Sequence, residues 1–271
     1  MSQSEAMGRL IMYVRQFQSE EASAAKPVLW LGAGCSVFDG IPLNRDLLSG
    51  ALGDQPDAWG SLQYRFDQFC DLLGATNARA RYLTPFFERP INEDSPYHGL
   101  ARLLRTGYVD MAFTFNIDDL LEQALAAAGM TEGRDFAVIK VPETVPHAVA
   151  GRVESPGTPR IRVVKLHGDY RYGFNYMTSR EIVAYDDGIR DLVKRYSSRA
   201  AIVCGYSFFH LNVLTAFSQS EAPFFYVNRS FPDAPMVLSL MAARSKAPNF
   251  IDAPLGSFDQ FVIALIAGLG I

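Results

Sequence analysis

Short apolar runs alternate along the chain with segments whose apolar residues recur at helical spacing. Between the runs, helices are predicted, for example at residues 117–128, 211–217 and 258–269. This alternation favours an α/β fold, a Rossmann-like and mainly parallel sheet with helices on both faces. The runs predict strands at residues 28–31, 108–114, 136–141, 161–166, 200–204, 224–227 and, from a weaker pattern, 250–251.

Three further segments complete the predicted domain plan. Residues 7–17 carry apolar side chains at helical spacing and lack the unbroken apolar core of a signal peptide, so they predict an amphipathic helix. Helical patterns with an aromatic-rich polar face occupy residues 43–88, whereas residues 143–160 are rich in turn-forming residues and predict a surface excursion. We therefore expect one domain over residues 1–271, with residues 43–95 as a small inserted helical module.

Charge and cysteine content narrow the functional classes. A net charge of -4 without a basic cluster gives no support for direct nucleic-acid binding. No apolar run is long enough for a membrane span, so we expect no membrane partner. The 3 cysteines are far apart and form no CxxC pair. This pattern excludes a disulfide framework and a four-cysteine zinc site, and it predicts a cytoplasmic protein without a metal.

Groups suited to binding and chemistry follow four of the predicted strands. In parallel sheets, ligands bind beyond the carboxyl ends of the strands, so these turns are expected to form one site. The four turns are Gly32-Ala33-Gly34, Asn116-Ile117-Asp118, His167-Gly168-Asp169 and Gly205-Tyr206-Ser207.

Each turn also has a purely structural interpretation. Gly32 and Gly34 would let backbone N–H groups approach a pyrophosphate, but a tight strand-to-helix turn needs such glycines equally. Asp118 or Asp119 could simply cap the following helix. The amide of Asn116 is not required for a cap, and it could bind a water molecule or a ribose hydroxyl.

His167 is the candidate general base among the four histidines. A lone histidine is usually structural, but Gly168 allows a sharp turn that could direct the ring into a cleft. Histidine also has an unperturbed pKa of about 6.5, which makes a neutral base available near physiological pH. His98 is expected to pack near its own helix instead.

Six segments in this order resemble the sirtuin-like superfamily. They extend over most of the chain, from the first strand to residue 228. The segments are Gly32-Ala33-Gly34-Cys35-Ser36 with Gly40-Ile41-Pro42, Ser95-Pro96-Tyr97-His98-Gly99-Leu100-Ala101, Thr114-Phe115-Asn116-Ile117-Asp118, Lys165-Leu166-His167-Gly168, Gly205-Tyr206-Ser207 and Val227-Asn228.

The resemblance implies an NAD-binding domain and a role for each matching residue. Asn116, Asp118 and Ser36 would surround the nicotinamide and its ribose, with Asp118 holding the carboxamide. His167 would be the catalytic base, so the implied catalytic residues are Asn116, His167 and Asp118. The remaining NAD-binding positions would be Gly32, Ala33 and Gly34 at the pyrophosphate, Gly205 and Ser207 at phosphate or ribose, and Asn228 at the adenosine ribose.

Departures from the deacylase pattern favour a different activity within this superfamily. The chain lacks the two CxxC pairs of the sirtuin zinc ribbon, and Phe115 stands where deacylases usually have Gln. In these respects it is similar to bacterial antiphage-defence NAD hydrolases. Regulation through a homo-oligomer or a partner protein is then expected, because unregulated NAD loss would kill the host. The alternatives are a catalytically silent NAD-binding or nucleotide-sensing subunit and a zinc-free NAD-dependent deacylase.

Overall fold

A seven-stranded, fully parallel sheet forms the centre of the structure, a computed structural model. The described residues are 3–17, 26–52, 59–74, 76–141, 146–172, 178, 181, 187–208, 211–217, 220–230, 235–244 and 249–271. The strands are β1 (Val28–Leu31), β2 (Met111–Thr114), β3 (Phe136–Lys140), β4 (Ile161–Lys165), β5 (Ala201–Cys204), β6 (Phe224–Val227) and β7 (Asn249–Ile251). Their order across the sheet is β3-β4-β2-β1-β5-β6-β7.

Helices cover both faces of this sheet. Before β2 the chain forms α1 (Gln3–Arg15), α2 (Asn44–Leu52), α3 (Trp59–Leu73), α4 (Thr76–Phe87) and α5 (Pro96–Thr106). After β2 it forms α6 (Leu120–Ala127), α7 (Pro146–Glu154), α8 (Asp187–Ser197), α9 (Leu211–Phe217), α10 (Pro235–Arg244) and α11 (Phe258–Leu269). The predicted Rossmann-like class is thus confirmed. No helix within the described ranges is both long and apolar enough to cross a membrane.

Two hydrophobic cores, one on each face, explain why the strand sequences are apolar throughout. In β1, Leu29 and Leu31 point into one core while Val28 and Trp30 point into the other, and all four are fully buried. Successive side chains of a strand alternate between faces, so a sheet covered on both sides needs continuous apolar runs. Helices α1, α5 and α11 pack on the first core, and α8, α9 and α10 pack on the second.

The predicted N-terminal helix is confirmed as α1. Its side chains Met7, Leu10 and Val14 are buried in the first core, at the spacing of one helical face.

The excursion predicted for residues 143–160 is wrong in part, because α7 occupies much of it. Val149 and Val153, one helical turn apart, are fully buried in the second core. Pro146 stands at the first position of this helix, where its fixed φ and missing N–H cost nothing. The abundance of Pro, Gly and Thr around this short helix had suggested an irregular segment.

The strand order brings five strand ends to one site. β1 lies at the centre, with β2 and β4 on one side and β5 and β6 on the other. After β4 the chain crosses to the opposite side of β1, which makes β1 the switch point where ligands bind in open α/β sheets. The helix predicted at 117–128 begins only at Leu120, so Asn116 to Asp119 remain in the turn that follows β2.

Candidate functional site

The turn after β1 and the turn after β5 are locked together through their backbones. The Gly32 and Gly34 amides donate to the carbonyl oxygens of Cys204 (2.9 Å) and Gly205 (3.0 Å). A Cβ on Gly32 would lie 2.5 Å from the Gly205 oxygen and 2.6 Å from the Tyr206 Cα. Close packing of two turns therefore accounts for Gly32 without a ligand, and Gly205 itself has a φ of +60°.

Four buried polar side chains meet just below this turn. The Ser36 hydroxyl donates to Asp118 Oδ2 at 2.8 Å and lies 2.9 Å from the Tyr97 hydroxyl. Asn116 Nδ2 donates to Ser36 Oγ at 3.0 Å and to the Gly32 carbonyl at 3.1 Å. We call Ser36, Tyr97, Asn116 and Asp118 the polar cluster. These four residues come from three segments that meet at the carboxyl edge of the sheet: the turn after β1, helix α5 and the turn after β2.

The hydrogen bonds fix the orientation of the Asn116 amide. The Gly32 carbonyl can only accept, so the atom facing it must be the nitrogen. Both N–H groups of that nitrogen then point to Gly32 and Ser36. Asn116 is thereby left with its carbonyl oxygen Oδ1 as the group to present to a ligand, that is, an acceptor for a water molecule or a ribose hydroxyl.

Asp118 combines a capping contact with an unusual protonation equilibrium. Its Oδ1 accepts from the Leu120 amide at 3.2 Å, so the cap expected from sequence exists, while Oδ2 accepts from Ser36. Burial raises the pKa of Asp118 to about 6, against the lowering effects of the Lys165 charge and the Ser36 hydrogen bond. The carboxylate therefore changes charge close to neutral pH. Burial also raises the pKa of the Tyr97 phenol, which keeps it a neutral donor.

A buried charge cluster lies behind the two turns that carry Asn116 and His167. Lys165 Nζ contacts the Asp118 carbonyl (2.5 Å), Asp169 Oδ2 (2.8 Å) and Glu122 Oε1 (3.0 Å), and its side chain has no exposed surface. Arg171 in turn forms ion pairs with Asp169 at 2.7 Å. Although burial raises the pKa of Asp169, the hydrogen bond from Arg171 and the Lys165 charge lower it to about 2.

His167 lies at the end of β4 with 9% of its surface exposed. Its ring meets Phe115 edge-on, with 5.4 Å between the ring centroids. Phe115 also stacks on Tyr206, with centroids 3.8 Å apart and planes 5° apart. A layer of aromatic rings therefore connects the His167 turn with the Gly205 turn.

The other NAD-binding candidates lie along the rim of the same edge. Ala33 is exposed, and Gly34, Gly205, Ser207 and Asn228 are partly exposed. The Asn228 amide donates to the Tyr226 hydroxyl at 3.0 Å, and its Oδ1 accepts from the Arg229 amide at 2.8 Å. All ten residues chosen from sequence thus lie at strand ends of one edge, although His167 is outside the polar cluster.

Tyr97 and Lys165 received no role from sequence alone. Tyr97 stands in the first turn of α5, where an aromatic residue is typical of the core, and only the fold brings its hydroxyl to Ser36. Lys165 ends an apolar strand, and an isolated lysine in a buried run was the available signal for an internal ion pair. The remaining histidine of interest, His98, lies 3.1 Å from the Asn92 carbonyl through Nε2, as expected of a structural residue.

The cysteines do not form a metal centre in the described part of the chain. Cys35, Cys70 and Cys204 are all buried and free. Across the described ranges, no group of three or more His, Cys, Asp or Glu residues is arranged to hold a metal ion.

Comparison with known proteins relates both the sequence and the fold to one group. Residues 110–231 match the family model of the SIR2-like domain. No curated protein matches the chain.

Several solved Sir2 structures share its fold over nearly the full length. One, from work on the mechanism and regulation of Sir2 enzymes, is 14% identical with a TM-score of 0.52, and the alignment covers 100% of this chain and 98% of that one. A Sir2 histidine variant with a deacetylated p53 peptide and 3'-O-acetyl ADP ribose is 15% identical, with a TM-score of 0.54 and coverage of 98% and 99%. Sir2Tm bound to a propionylated peptide is 17% identical, with a TM-score of 0.52 and the same coverage.

The fold is that of an α/β protein with a Rossmann-like sheet, and the polar cluster lies at the carboxyl edge of that sheet. The SIR2-like domain match covers β2 to β6, which contribute most of that site. Residues 110–231 thus match a SIR2-like domain in sequence, and the chain as a whole has the fold of Sir2 structures.

Proposed function

We propose that this chain is an NAD hydrolase that cleaves the bond between nicotinamide and ribose, giving nicotinamide and ADP-ribose. The observation that carries the proposal is the polar cluster, in which Asn116 offers an acceptor beside a buried carboxylate that titrates near neutral pH. A Sir2 variant of the same fold, with a p53 peptide and NAD, provides the chemical context. A purely structural cluster would not need a carboxylate whose ionised form is destabilised by burial.

The described residues have the chemistry that NAD requires. A pyrophosphate would lie against the rim formed by the exposed Ala33 and the partly exposed Gly34, Gly205 and Ser207, while the buried Gly32 fixes the two turns against each other. Asn228 would receive the adenosine ribose, because its Oδ1 keeps a second lone pair beyond the one used by Arg229. Ser36 and Asp118 would hold the nicotinamide end, with Asp118 bonding the carboxamide.

In the proposed reaction, NAD supplies a cationic leaving group, and the electron pair of the C1'–N bond passes to the nicotinamide nitrogen. Positive charge then develops on the ribose, as in other glycosyl transfers. The Asn116 Oδ1 accepts a hydrogen bond from the attacking water and holds it at C1'. His167 takes the proton of that water directly or through a ribose hydroxyl, so the new C1'–O bond forms as the proton leaves.

Hydrolysis is preferred over protein deacylation for two reasons. The sequence has no CxxC pair for the zinc ribbon of deacylase sirtuins, and its cysteines are buried and separate. Phe115, in the place of the usual Gln, stacks on Tyr206 and does not offer an amide to the cleft. Phe115 equally favours the second candidate, an NAD-binding or nucleotide-sensing subunit without turnover. A zinc-free deacylase is the third candidate.

We place the hydrolase in the cytoplasm as a regulated antiphage-defence effector, controlled by self-assembly into a homo-oligomer or by a partner protein. Sustained hydrolysis would exhaust the NAD of the host cell, so the active state requires control.

Incubation of the purified chain with NAD, with and without an acyl-lysine peptide, tests the proposal. An NAD hydrolase releases nicotinamide and ADP-ribose at the same rate in both reactions. Nicotinamide released only with the peptide, together with O-acyl-ADP-ribose, identifies a deacylase. NAD binding without release of nicotinamide, including in cell extract from phage-infected cells, identifies the silent subunit.

A further inference from the structure

The turns that carry Asn116 and His167 are joined by one buried ammonium group. Lys165 Nζ donates to the carbonyl oxygen of Asp118 in one turn (2.5 Å) and to the carboxylate of Asp169 in the other (2.8 Å). The Tyr170 amide also donates to the Ile117 carbonyl at 3.0 Å, so the two turns are bonded at more than one point.

We infer that Lys165 is a positioning residue, which fixes the turn of Asn116 and Asp118 against the turn of His167 and thereby holds the acceptor and the base at their working separation. This role rests on the proposed function, because it concerns the same site. Lys165 is fully buried and its Nζ bonds groups of the protein, so it acts through the residues it bonds.

Burying the charge of Lys165 costs free energy, which indicates that its bonds to the two turns serve to hold those turns in place. A buried ion pair is seldom worth more than apolar side chains of the same volume, since both charges lose their water. At this position an apolar residue would continue β4 and fill the core, but it could not bond the Asp118 carbonyl. An ammonium with three donors is matched by three acceptors within 3.0 Å here, two from side chains and one from the backbone of the neighbouring turn.

The same ammonium influences the charge of Asp118. The charged or titratable groups around that carboxylate are Tyr97 from α5, Cys35 from the turn after β1, Lys165 and Asp169 from the β4 end, and Glu122 from α6. Lys165 lowers the pKa of Asp118, while Glu122 raises it. Removing either one should therefore move the titration of Asp118, and in opposite directions. If Lys165 merely filled space, its removal would leave the pKa of Asp118 unchanged.

The test compares Lys165→Met, which is neutral and of similar length, with Glu122→Gln and with Lys165→Arg. The Asp118 carboxyl titration is followed by ¹³C NMR and assigned through its loss in Asp118→Asn. We expect the midpoint to rise in Lys165→Met, to fall in Glu122→Gln and to stay near the wild-type value in Lys165→Arg. Hydrogen exchange at residues 116–118 and 167–169 should accelerate together in Lys165→Met, with global unfolding measured separately.

Lys165→Met leaves Asp169 without its lysine, so the matched variant Lys165→Met/Asp169→Asn removes the ion pair as a unit. It should fold and yet cleave NAD on the order of 10²-fold more slowly, the size typical of a misplaced acid–base group. The positioning role would be overturned if Lys165→Met left the titration midpoint of Asp118 unchanged. It would also be overturned if hydrogen exchange accelerated at only one of the two turns. If the wild type does not cleave NAD, including in extract from phage-infected cells, the proposed function fails, and the titration and exchange data still decide the role of Lys165.

Discussion

Ser36 gives its single hydroxyl proton to the carboxylate of Asp118 across 2.8 Å, in a place where both side chains are buried. Because an ionised carboxylate only accepts, this bond orders the rest of the polar cluster: Tyr97 and Asn116 must donate to the Ser36 oxygen. A change of charge on Asp118 therefore affects every hydrogen bond of the cluster.

Asp118→Asn should abolish most NAD cleavage and yet stabilise the fold above pH 6. The folded pKa of Asp118, about 6, is above the ordinary value of 3.8. Between these values the native chain holds a proton that the unfolded chain has released, so the wild type loses stability as pH rises through this window. Asn stays neutral, and the expected gain at pH 8 is on the order of 1–3 kcal/mol.

Thermal unfolding of Asp118→Asn and wild type at pH 4 and pH 8 measures this effect. The two melting temperatures should converge at pH 4, where both side chains are neutral. A variant that is less stable than wild type at pH 8 would show that the ionised Asp118 contributes to stability, contrary to the raised pKa. NAD cleavage by the wild type should fall as pH decreases through about 6.

Asn116→Ala should eliminate NAD cleavage while the protein remains folded. The variant loses the Oδ1 acceptor and the bonds to Gly32 and Ser36, at a cost of about 1–3 kcal/mol in stability. Thr114→Val is a suitable control, because it removes the hydroxyl that accepts from the backbone N–H of Asn116 but leaves the side chain of Asn116 in place. Near-wild-type turnover in Asn116→Ala would refute its proposed role with water.

His167→Gln should reduce turnover by on the order of 10²-fold or more, because it keeps a polar side chain but removes the base. NAD affinity should change far less, since the Gly32 and Gly205 turns are unaltered. His98→Gln is the matched control, as that ring lies beside the Asn92 carbonyl and outside the site. Equal losses in the two variants, or a parallel loss of binding and turnover in His167→Gln, would indicate a structural role for His167.

Gly32→Ala should destabilise the protein by about 1–3 kcal/mol or more, because its Cβ would collide with backbone atoms of Gly205 and Tyr206. Backbone atoms on both sides leave no flexible side chain to move. Gly8→Ala in α1 is the comparison, since a Cβ there meets nothing within 4 Å and alanine stabilises a helix by about 0.5–1 kcal/mol. Chemical denaturation of both variants should therefore give shifts of opposite sign.

The three thiols should resist Ellman's reagent in the native protein and react after unfolding. Burial raises the pKa of the Cys70 thiol to about 12, and it also raises the pKa of Cys35 and Cys204. Reactive thiolates are therefore scarce at pH 8. Fast modification of any one thiol in the folded chain would contradict its burial.

The sequence predicts the sheet well because its signals are local. Strands buried on both faces need unbroken apolar runs, and Val28–Leu31 shows one followed at once by glycine. Helix α8 carries the same kind of local signal, since Ile189, Leu192 and Val193 recur at helical spacing, although it is not among the predicted helices. Helix α7 was missed because its flanking prolines and glycines suggest turns.

The site is harder to predict from sequence than the sheet, because its contacts join residues that are far apart along the chain. Asn116 and Asp118 stand out as polar residues at a strand end, yet their partner Tyr97 resembles an ordinary core residue of α5. The reason for Gly32 was also hidden, because the Gly205 turn that occupies its Cβ position lies far along the chain. Such information is set by strand order, which no local pattern specifies.

The aromatic layer beneath the site gives the protein an intrinsic optical reporter. Trp30 is fully buried, and its ring centroid lies 6.4 Å from that of Phe115, which in turn contacts Tyr206 and His167. With Trp59 replaced by Phe, the emission of the remaining indole would come from this layer alone. Movement of the His167 turn or the Gly205 turn when substrate binds would then change the wavelength and intensity of the Trp30 emission. Binding could therefore be followed in real time without a label.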